Sequence, residues 1–380
     1  MNKNISIKSL PVYWRIKKKI KNQIKGIPSN FDYSFSEIKQ IGLLIQKRKK
    51  KLLKFLNLIY KKESNIGFLQ EGHSLAKNYG NDFLRFLKKN IKKEKISNVL
   101  EIGCGACYLL EKLQKCGYKV TGLDPSPITV KEAQKKKFRI FQGFYPSKKI
   151  KELYDLIFNF DVLEHVSNPI IFLKKIRKNL IKDGFIAIKV PDCTQSIERG
   201  DISFITHQHL NNFTYNSLYL LMKYCGYEVI SLEKSKFGSS LYCFAKKSND
   251  IKVVKNFSKY ENQEFLFKAK KVIKKFKILI SNALNKKATI GFYVPLRSFP
   301  YIFQFSKLNN NKYRLFDDII HYRNNYFDGC NVKIENFEDL IKKPVDHLFI
   351  MSFPFGNKIK KKILMRNPFQ KITTLTQLTN

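Results

Sequence analysis

Hydrophobic positions change their period near residue 98. From there to about 247, short runs rich in Val, Ile and Phe alternate with stretches whose apolar residues recur every three or four positions. The runs 98–102 (NVLEI), 119–123 (KVTGL), 138–141 (FRIF), 155–160 (DLIFNF), 184–190 (GFIAIKV), 227–233 and 240–246 predict strands. The stretches between them, at 106–116, 128–137, 169–181 and 214–225, predict helices. Such alternation predicts a parallel sheet with helices on both faces. The last two runs are separated only by residues 235–239, too few for a crossover, so they should pair antiparallel. The expectation is an α/β fold with a mostly parallel seven-stranded sheet and an antiparallel hairpin at one edge.

The flanks read differently. Val12, Ile16, Ile20 and Ile24 recur every four residues beside Tyr13 and Trp14, which predicts a basic helix within 1–30. Packed on the protein or lying on a membrane surface, it would present the same apolar stripe. Ile41, Leu44, Ile45, Leu52, Leu53, Leu56 and Ile59 predict helix through 37–62, and Phe83, Leu84, Phe86, Leu87 and Ile91 predict helix through 81–91. A Lys-rich helix is expected at 259–285, with Phe265, Leu266, Val272, Ile273, Phe276 and Leu279 on its apolar side. Beyond it, ATIGFYV (288–294) and DHLFIMS (346–352) predict strands, as does a run near 371–375. Helices are expected up to Asp339-Leu340-Ile341 and near 357–365. The chain therefore divides into a basic helical region 1–75, an α/β domain 76–247, a helical linker 248–285 and a smaller α/β domain 286–380.

Composition narrows the class. The chain has 380 residues, 72 Lys plus Arg against 30 Asp plus Glu, and a formal net charge of +42. Sixty-two of the cations are Lys and only ten are Arg, in a chain also rich in Ile and Asn. This reads as a compositional bias, because phosphate and nucleic-acid readers favour the planar Arg fork. With 43% hydrophobic residues and 14% aromatics, whole-chain disorder is excluded. No apolar run approaches the ~18 residues of a membrane-spanning helix. The opening MNKNISIKSLPVYWRIKKK lacks the unbroken apolar core of a secretory signal. Seven scattered cysteines do not form a disulfide framework, and a reducing cytoplasmic setting is expected. The lone Cys104-x-x-Cys107 has no second pair to complete a zinc site.

The most informative segment is VLEIGCGACYLL (99–110), a strand, a glycine loop and a helix in sequence, followed by a second strand that ends on Asp124. Gly103 and Gly105 let a ligand approach the backbone closely. Asp124, at the carboxyl end of that strand, is placed to accept hydrogen bonds from ribose hydroxyls. A dinucleotide fingerprint would need glycine at 108, where Tyr108 stands. Glu101 instead suits a cationic, amino-acid-bearing ligand. Together Glu101-x-Gly103-x-Gly105, Asp124 and the terminal hairpin resemble class I S-adenosylmethionine-dependent methyltransferases, over roughly 75–247. Cys107 stands where that family usually has its third glycine. The resemblance implies S-adenosylmethionine as cofactor, held by Glu101, Gly103, Cys104, Gly105 and Asp124. It also implies Gln142 and Phe144 flanking the adenine, and Phe160 facing the methionine part. Asp155, at the start of its strand, reads as structural.

Two histidine stretches compete for the chemistry. Asp161-Val-Leu-Glu164-His165 is similar to a stretch that helps hold a divalent metal in some quinone and phenol O-methyltransferases. Thr206-His207-Gln208-His209 follows the fifth strand, where the acceptor pocket of this fold lies. With the C-terminal domain, it resembles sugar C-methyltransferases acting on nucleotide-bound keto-deoxysugars. Their N-terminal four-cysteine zinc module is absent here, since no Cys precedes Cys104, and Gln208 replaces the acidic residue between their histidines. The reading this supports is methyl transfer to a small molecule, above all a sugar, nucleotide-sugar or glycan. His209 would be the general base, with His207 and Gln208 positioning the acceptor, and no metal is expected. Metal-assisted O-methylation of a phenol-like acceptor is the alternative. A nucleic-acid methyltransferase is a further one, although the Asn/Asp-Pro-Pro-aromatic motif is missing where NFDVLEH stands, so no specific nucleic-acid partner is expected.

Overall fold

A computed structural model describes residues 5–380 except 13–15, 19–25, 63–73, 128, 130, 132–134, 136–138, 249–260, 306–307 and 309–312. The chain forms two compact units. One comprises 37–194 with 209–258, and the other 1–36, 195–208 and 259–380. In chain order the strands are β1 (Ser6–Pro11), β2 (Ile16–Lys17), β3 (Asn30–Ile38), β4 (Leu43–Gln46), β5 (Asn98–Ile102), β6 (Lys119–Asp124), β7 (Arg139–Gln142), β8 (Tyr154–Phe160) and β9 (Leu180–Pro191). They continue as β10 (Asn211–Asn212), β11 (Tyr227–Lys234), β12 (Ser240–Lys247), β13 (Ile290–Tyr293), β14 (Tyr313–Phe316), β15 (Tyr326–Phe327), β16 (Ile334–Glu335), β17 (His347–Ile350) and β18 (Ile372–Thr374).

The first unit is built on a seven-stranded sheet of order β11-β12-β9-β8-β5-β6-β7. β9, β8, β5, β6 and β7 run parallel, and β12 pairs antiparallel with both β9 and β11, the latter as the short connection 235–239 required. Successive residues feed opposite faces. Leu100, Ile157, Ile186 and Ile188 enter one apolar cluster, while Val99, Leu156, Phe158, Phe185 and Ala187 enter the other. Helix starts carry local signals. Asn168 caps Pro169–Ile176 by accepting the Ile171 N–H at 3.1 Å, and Thr214 and Ser217 cap Tyr215–Tyr224 reciprocally. The expected helix at 128–137 lies largely outside the described residues.

Two helix expectations are corrected. Ile7, Leu10 and Pro11 lie in β1, which pairs antiparallel with β3, and Ile16 lies in β2. Ile5 and Ile7 are buried and Ser6 is exposed, the two-residue period of a strand. Tyr13, Trp14, Ile20 and Ile24 lie outside the described residues. Within 37–62 only Lys50–Lys62 is α-helical. Gly42 stops the turn Lys39–Ile41 in the left-handed conformation (φ 61°), and the unbroken run Leu43-Leu44-Ile45 that follows is a strand buried on both faces.

In the other unit five strands form a wholly parallel sheet of order β16-β14-β13-β17-β18. Tyr293, Phe316, Leu340, Leu348, Ile350 and Ile363 form one of its cores. β13, β17 and β18 sit where the sequence placed strands, whereas β14, in KYRLF, was not read as one. Asp201 accepts from Ser196 Oγ, Ser203 N, Ser203 Oγ and Tyr301 OH, so a fully buried carboxylate is satisfied on every side. No described helix is long and apolar enough to cross a membrane.

Candidate active site

The glycine loop sits at the carboxyl end of β5. Gly103 has φ +80°, and a Cβ there would come within 2.3 Å of Val162 Cγ2, so only glycine fits. The Gly103 N–H donates to Leu123 O at 2.7 Å, and Cys107 N donates to Cys104 O at 2.7 Å, closing the turn. Cys107 itself is left-handed (φ 63°) at the start of the helix Tyr108–Gln114, the conformation a glycine would take most readily. Cys104 is buried with its Sγ beside Gly122, where a Cβ would come within 2.6 Å of it.

Asp124 locks this loop. Its Oδ2 accepts from Gly105 N at 2.9 Å and its Oδ1 from Ser126 N at 2.8 Å. A carboxylate has about four acceptor positions, and Thr129 also hydrogen-bonds to this one, so acceptor capacity for a ligand hydroxyl remains. Burial raises the Asp124 carboxyl above its ordinary range, against the pull of the Gly105 and Ser126 N–H groups. Glu101 is 3% exposed, and its Oε2 has no hydrogen-bond partner among the described residues. Burial pushes its carboxyl well up, with Cys107 and Asp124 adding to the push. A buried, unsatisfied carboxylate oxygen is costly unless a ligand completes it, and a cationic amino group is the matching partner.

The remaining residues expected at the cofactor lie at the adjoining strand ends. Gln142 ends β7 and donates to Pro125 O at 3.5 Å. Phe144 is half-exposed, with its ring 6.5 Å from Tyr60. Phe160 ends β8, and the Lys189 ammonium lies 4.7 Å from its ring centre. Asp155 accepts from Ser97 N, Ser97 Oγ and Asn98 N, a structural clasp as read from the sequence. Asn159 had no sequence signal beyond its polarity inside LIFNF. It is fully buried next to Phe160, and both of its amide atoms lack hydrogen-bond partners among the described residues.

The two histidine stretches do not compete, because they meet. Leu210 N and Asn211 N donate to Glu164 O at 2.8 and 3.0 Å, and Asn211 Nδ2 donates to Leu163 O and Val166 O at 3.0 and 2.8 Å. This stitching brings His209 against His165, their ring centres 5.1 Å apart at 60°. Glu164, His165 and His209 each present a ligand-type atom, all within 4.8 Å of one another. Glu164 is 1% exposed and neither carboxylate oxygen has a hydrogen-bond partner among the described residues, with His165 Nε2 at 3.8 Å from Oε1. Burial pushes Glu164 well above the ordinary carboxylate range, Asp161 adds to this and Lys189 opposes it. Asp161, left-handed at φ 56°, is ion-paired with buried Lys189.

His207 and Gln208 belong to the other compact unit. His207 is fully buried, with Nε2 2.9 Å from Phe31 O and 3.2 Å from Leu10 O. Carbonyls only accept, so Nε2 carries the proton and donates to both. The carboxylate that shares this cluster with His209 is Glu164, forty-five positions upstream in the chain.

Residues 72–232 match a family model described as a methyltransferase domain. Over 121 residues the chain is 31% identical to the ubiquinone biosynthesis O-methyltransferase of Pelagibacter ubique strain HTCC1062, covering 28% of this chain and 50% of that protein. It is 26% identical over 99 residues to the mitochondrial ubiquinone biosynthesis O-methyltransferase of Schizosaccharomyces pombe, covering 24% and 36%. The chain thus spans half or less of the length of these relatives. Among solved structures, the N-methyltransferase NodS of Bradyrhizobium japonicum WM9, in complex with S-adenosyl-L-homocysteine, aligns at TM-score 0.38 and 16% identity over 52% of this chain and 98% of that one. The 1,6-didemethyltoxoflavin-N1-methyltransferase of Burkholderia thailandensis aligns at 0.39 and 16%, over 57% and 99%. With the glycine loop, Asp124 and the seven-stranded order already in place, the segment 72–232 is a class I S-adenosylmethionine-dependent methyltransferase domain.

Proposed function

We propose that the chain transfers a methyl group from S-adenosylmethionine to a hydroxyl of a small molecule, at a site formed by Glu164, His165 and His209. The convergence of those three side chains within 4.8 Å carries the reading. Asp124 holds the ribose and Glu101 the amino group, while Gly103 and Gly105 give room to the methionine part. Cys104 shapes the loop from below, Gln142 and Phe144 flank the adenine, and Phe160 lies toward the sulfur. Bound there, the cofactor supplies an electrophilic methyl on a sulfonium.

The donor set of one carboxylate and two imidazoles suits a divalent transition cation, and the unsatisfied oxygens of Glu164 are what such an ion would complete. A cation held there would lower the pKa of an acceptor hydroxyl. With their one lone-pair nitrogen each given to the cation, His165 and His209 would fix it beside the acceptor, the hydroxyl proton would pass to solvent, and Lys189 pairs with Asp161. O-methylation is favoured over carbon methylation of a keto sugar, because His207 is committed to two backbone carbonyls and only His209 joins an acid. A sugar-linked acceptor rests on the resemblance of 206–213 and of the C-terminal domain.

The test is incubation of the full chain with methyl-labelled cofactor and separate pools of small hydroxylated aromatics, glycosides, nucleotide sugars and RNA. Base-stable label in a small hydroxylated pool, as a methyl ether, is the expected outcome. Label on carbon, on RNA or nowhere would overturn the proposal.

A further inference from the structure

The helix Glu261–Asn285 carries a second stripe that its packing does not explain. Phe265, Ala269, Val272, Phe276, Ile280 and Ala283 recur at helical spacing and are buried, so one side of the helix is committed to the core. Phe267 and Ile278 lie eleven residues apart, and at 3.6 residues per turn both project almost directly away from that side. They stand 60% and 51% exposed. The flanks of an amphipathic helix can hold a half-covered apolar residue, but the centre of its outer face is where polar side chains belong. One exposed apolar residue is ordinary, whereas two on one line, about three turns apart, mark a surface that meets a partner.

The line between them is cationic. Lys271 and Lys274 fall on it, four and seven residues after Phe267, and both are exposed. The Lys271 ammonium lies 4.3 Å from the centre of the Phe267 ring, so charge and apolar surface are presented together. From Phe265 to Asn285 the helix has six Lys, no Arg and no acid. Lys268 donates to Glu198 O and Lys275 to Gln377 O, both at 2.8 Å, which fastens the helix to its neighbours. Lys271 and Lys274 make no ion pair among the described residues. The Lys bias of the whole chain accounts for the lysines here. It does not account for the Phe and the Ile set among them on a strip about 16 Å long, at 1.5 Å per residue.

We propose that this face docks on an anionic phospholipid surface, with Phe267 and Ile278 entering the headgroup region and Lys271 and Lys274 meeting the phosphates. A Lys stem lies along apolar material while its ammonium stays at the polar level, which suits that depth. Anionic lipid attracts exposed lysines near the surface. A nucleic acid would be read by Arg forks, and this part of the helix has none. A protein groove takes apolar anchors at successive turns, and here lysines occupy those places. A flat surface accepts anchors about three turns apart. The inference is independent of the methyl-transfer reading, since every residue it uses lies in the other compact unit.

The experiment is flotation of the full chain with vesicles of phosphatidylcholine alone and of phosphatidylcholine mixed with phosphatidylserine. Binding to the mixed vesicles should be at least about tenfold tighter, and should weaken as salt rises toward ~1 M, where the screening length falls to ~3 Å. Phe267→Ser with Ile278→Ser leaves the charge untouched and should remove about tenfold of that binding. Lys271→Gln with Lys274→Gln should remove about as much. Lys358→Gln with Lys361→Gln, exposed on the helix Gly356–Arg366, should change it less than about twofold. In a Trp14→Phe background, Phe267→Trp should shift its emission to the blue on mixed vesicles and be quenched by brominated acyl chains. Equal losses in the two lysine pairs, with none in the serine variant, would mean diffuse charge only and overturn the proposal. No binding to mixed vesicles at low salt would overturn it without any variant. So would binding of RNA or of an acidic polypeptide that the serine variant loses while its vesicle binding is unchanged.

Discussion

Asp124 shows how one residue can both build and use a site. Its two oxygens fasten the glycine loop through Gly105 and Ser126 and still offer acceptor positions to a ribose. Asp124→Ala should weaken S-adenosylmethionine binding by about 1–3 kcal/mol, the cost of leaving buried partners unpaired, read by calorimetry on the folded variant. Burial also raises the carboxyls of Glu101 and Glu164, well above their ordinary range. An acid whose folded pKa is raised holds its proton longer in the folded state. Its contribution to stability is therefore full below the unfolded value of about 4.3 and is lost as pH rises through the folded value. Thermal melts of the ligand-free chain from pH 4 upward should show this loss, and Glu101→Gln or Glu164→Gln should each flatten it. An identical pH slope in the variants would mean that these carboxyls are not raised.

At the scale of elements, the strands were legible because each carries a dense Val/Ile/Phe run that enters a core on both faces, as Leu156, Ile157 and Phe158 do. The loop was legible because few backbones need Gly-x-Gly at a strand end. Gly103→Ala would place a Cβ 2.3 Å from Val162 Cγ2 at a positive φ, and should cost about 1–3 kcal/mol in urea unfolding. Adding Val162→Ala should return the part due to the clash and leave the part due to φ. The meeting of 164–165 with 209 was not legible. It depends on Asn211 reaching Leu163 O and Val166 O, and nothing in the spacing of a single sequence announces a side-chain clasp across some forty-five residues. The opening strands were missed because Val12, Ile16, Ile20 and Ile24 imitate a helical period, and Gly42, which stops the turn before β4, lies inside a stretch of helical apolar spacing.

For the whole molecule, the mostly parallel seven-stranded sheet with its antiparallel edge hairpin, and a second, smaller α/β region after it, followed from the alternation of runs. What did not follow is that His209, from one of the stretches read as rival sites, lies against Glu164 and His165 of the other. The account stands on that union. Zinc titrated calorimetrically into the full chain is its most direct test, since it needs no knowledge of the acceptor. The account predicts one bound ion per chain, with affinity rising as pH rises because Glu164 must lose its proton. It also predicts that binding is lost in Glu164→Gln and in His209→Ala, while affinity for S-adenosylmethionine stays within about twofold, a difference below 0.5 kcal/mol. Zinc binding as tight in His209→Ala as in the unaltered chain, or no binding in either, would contradict it.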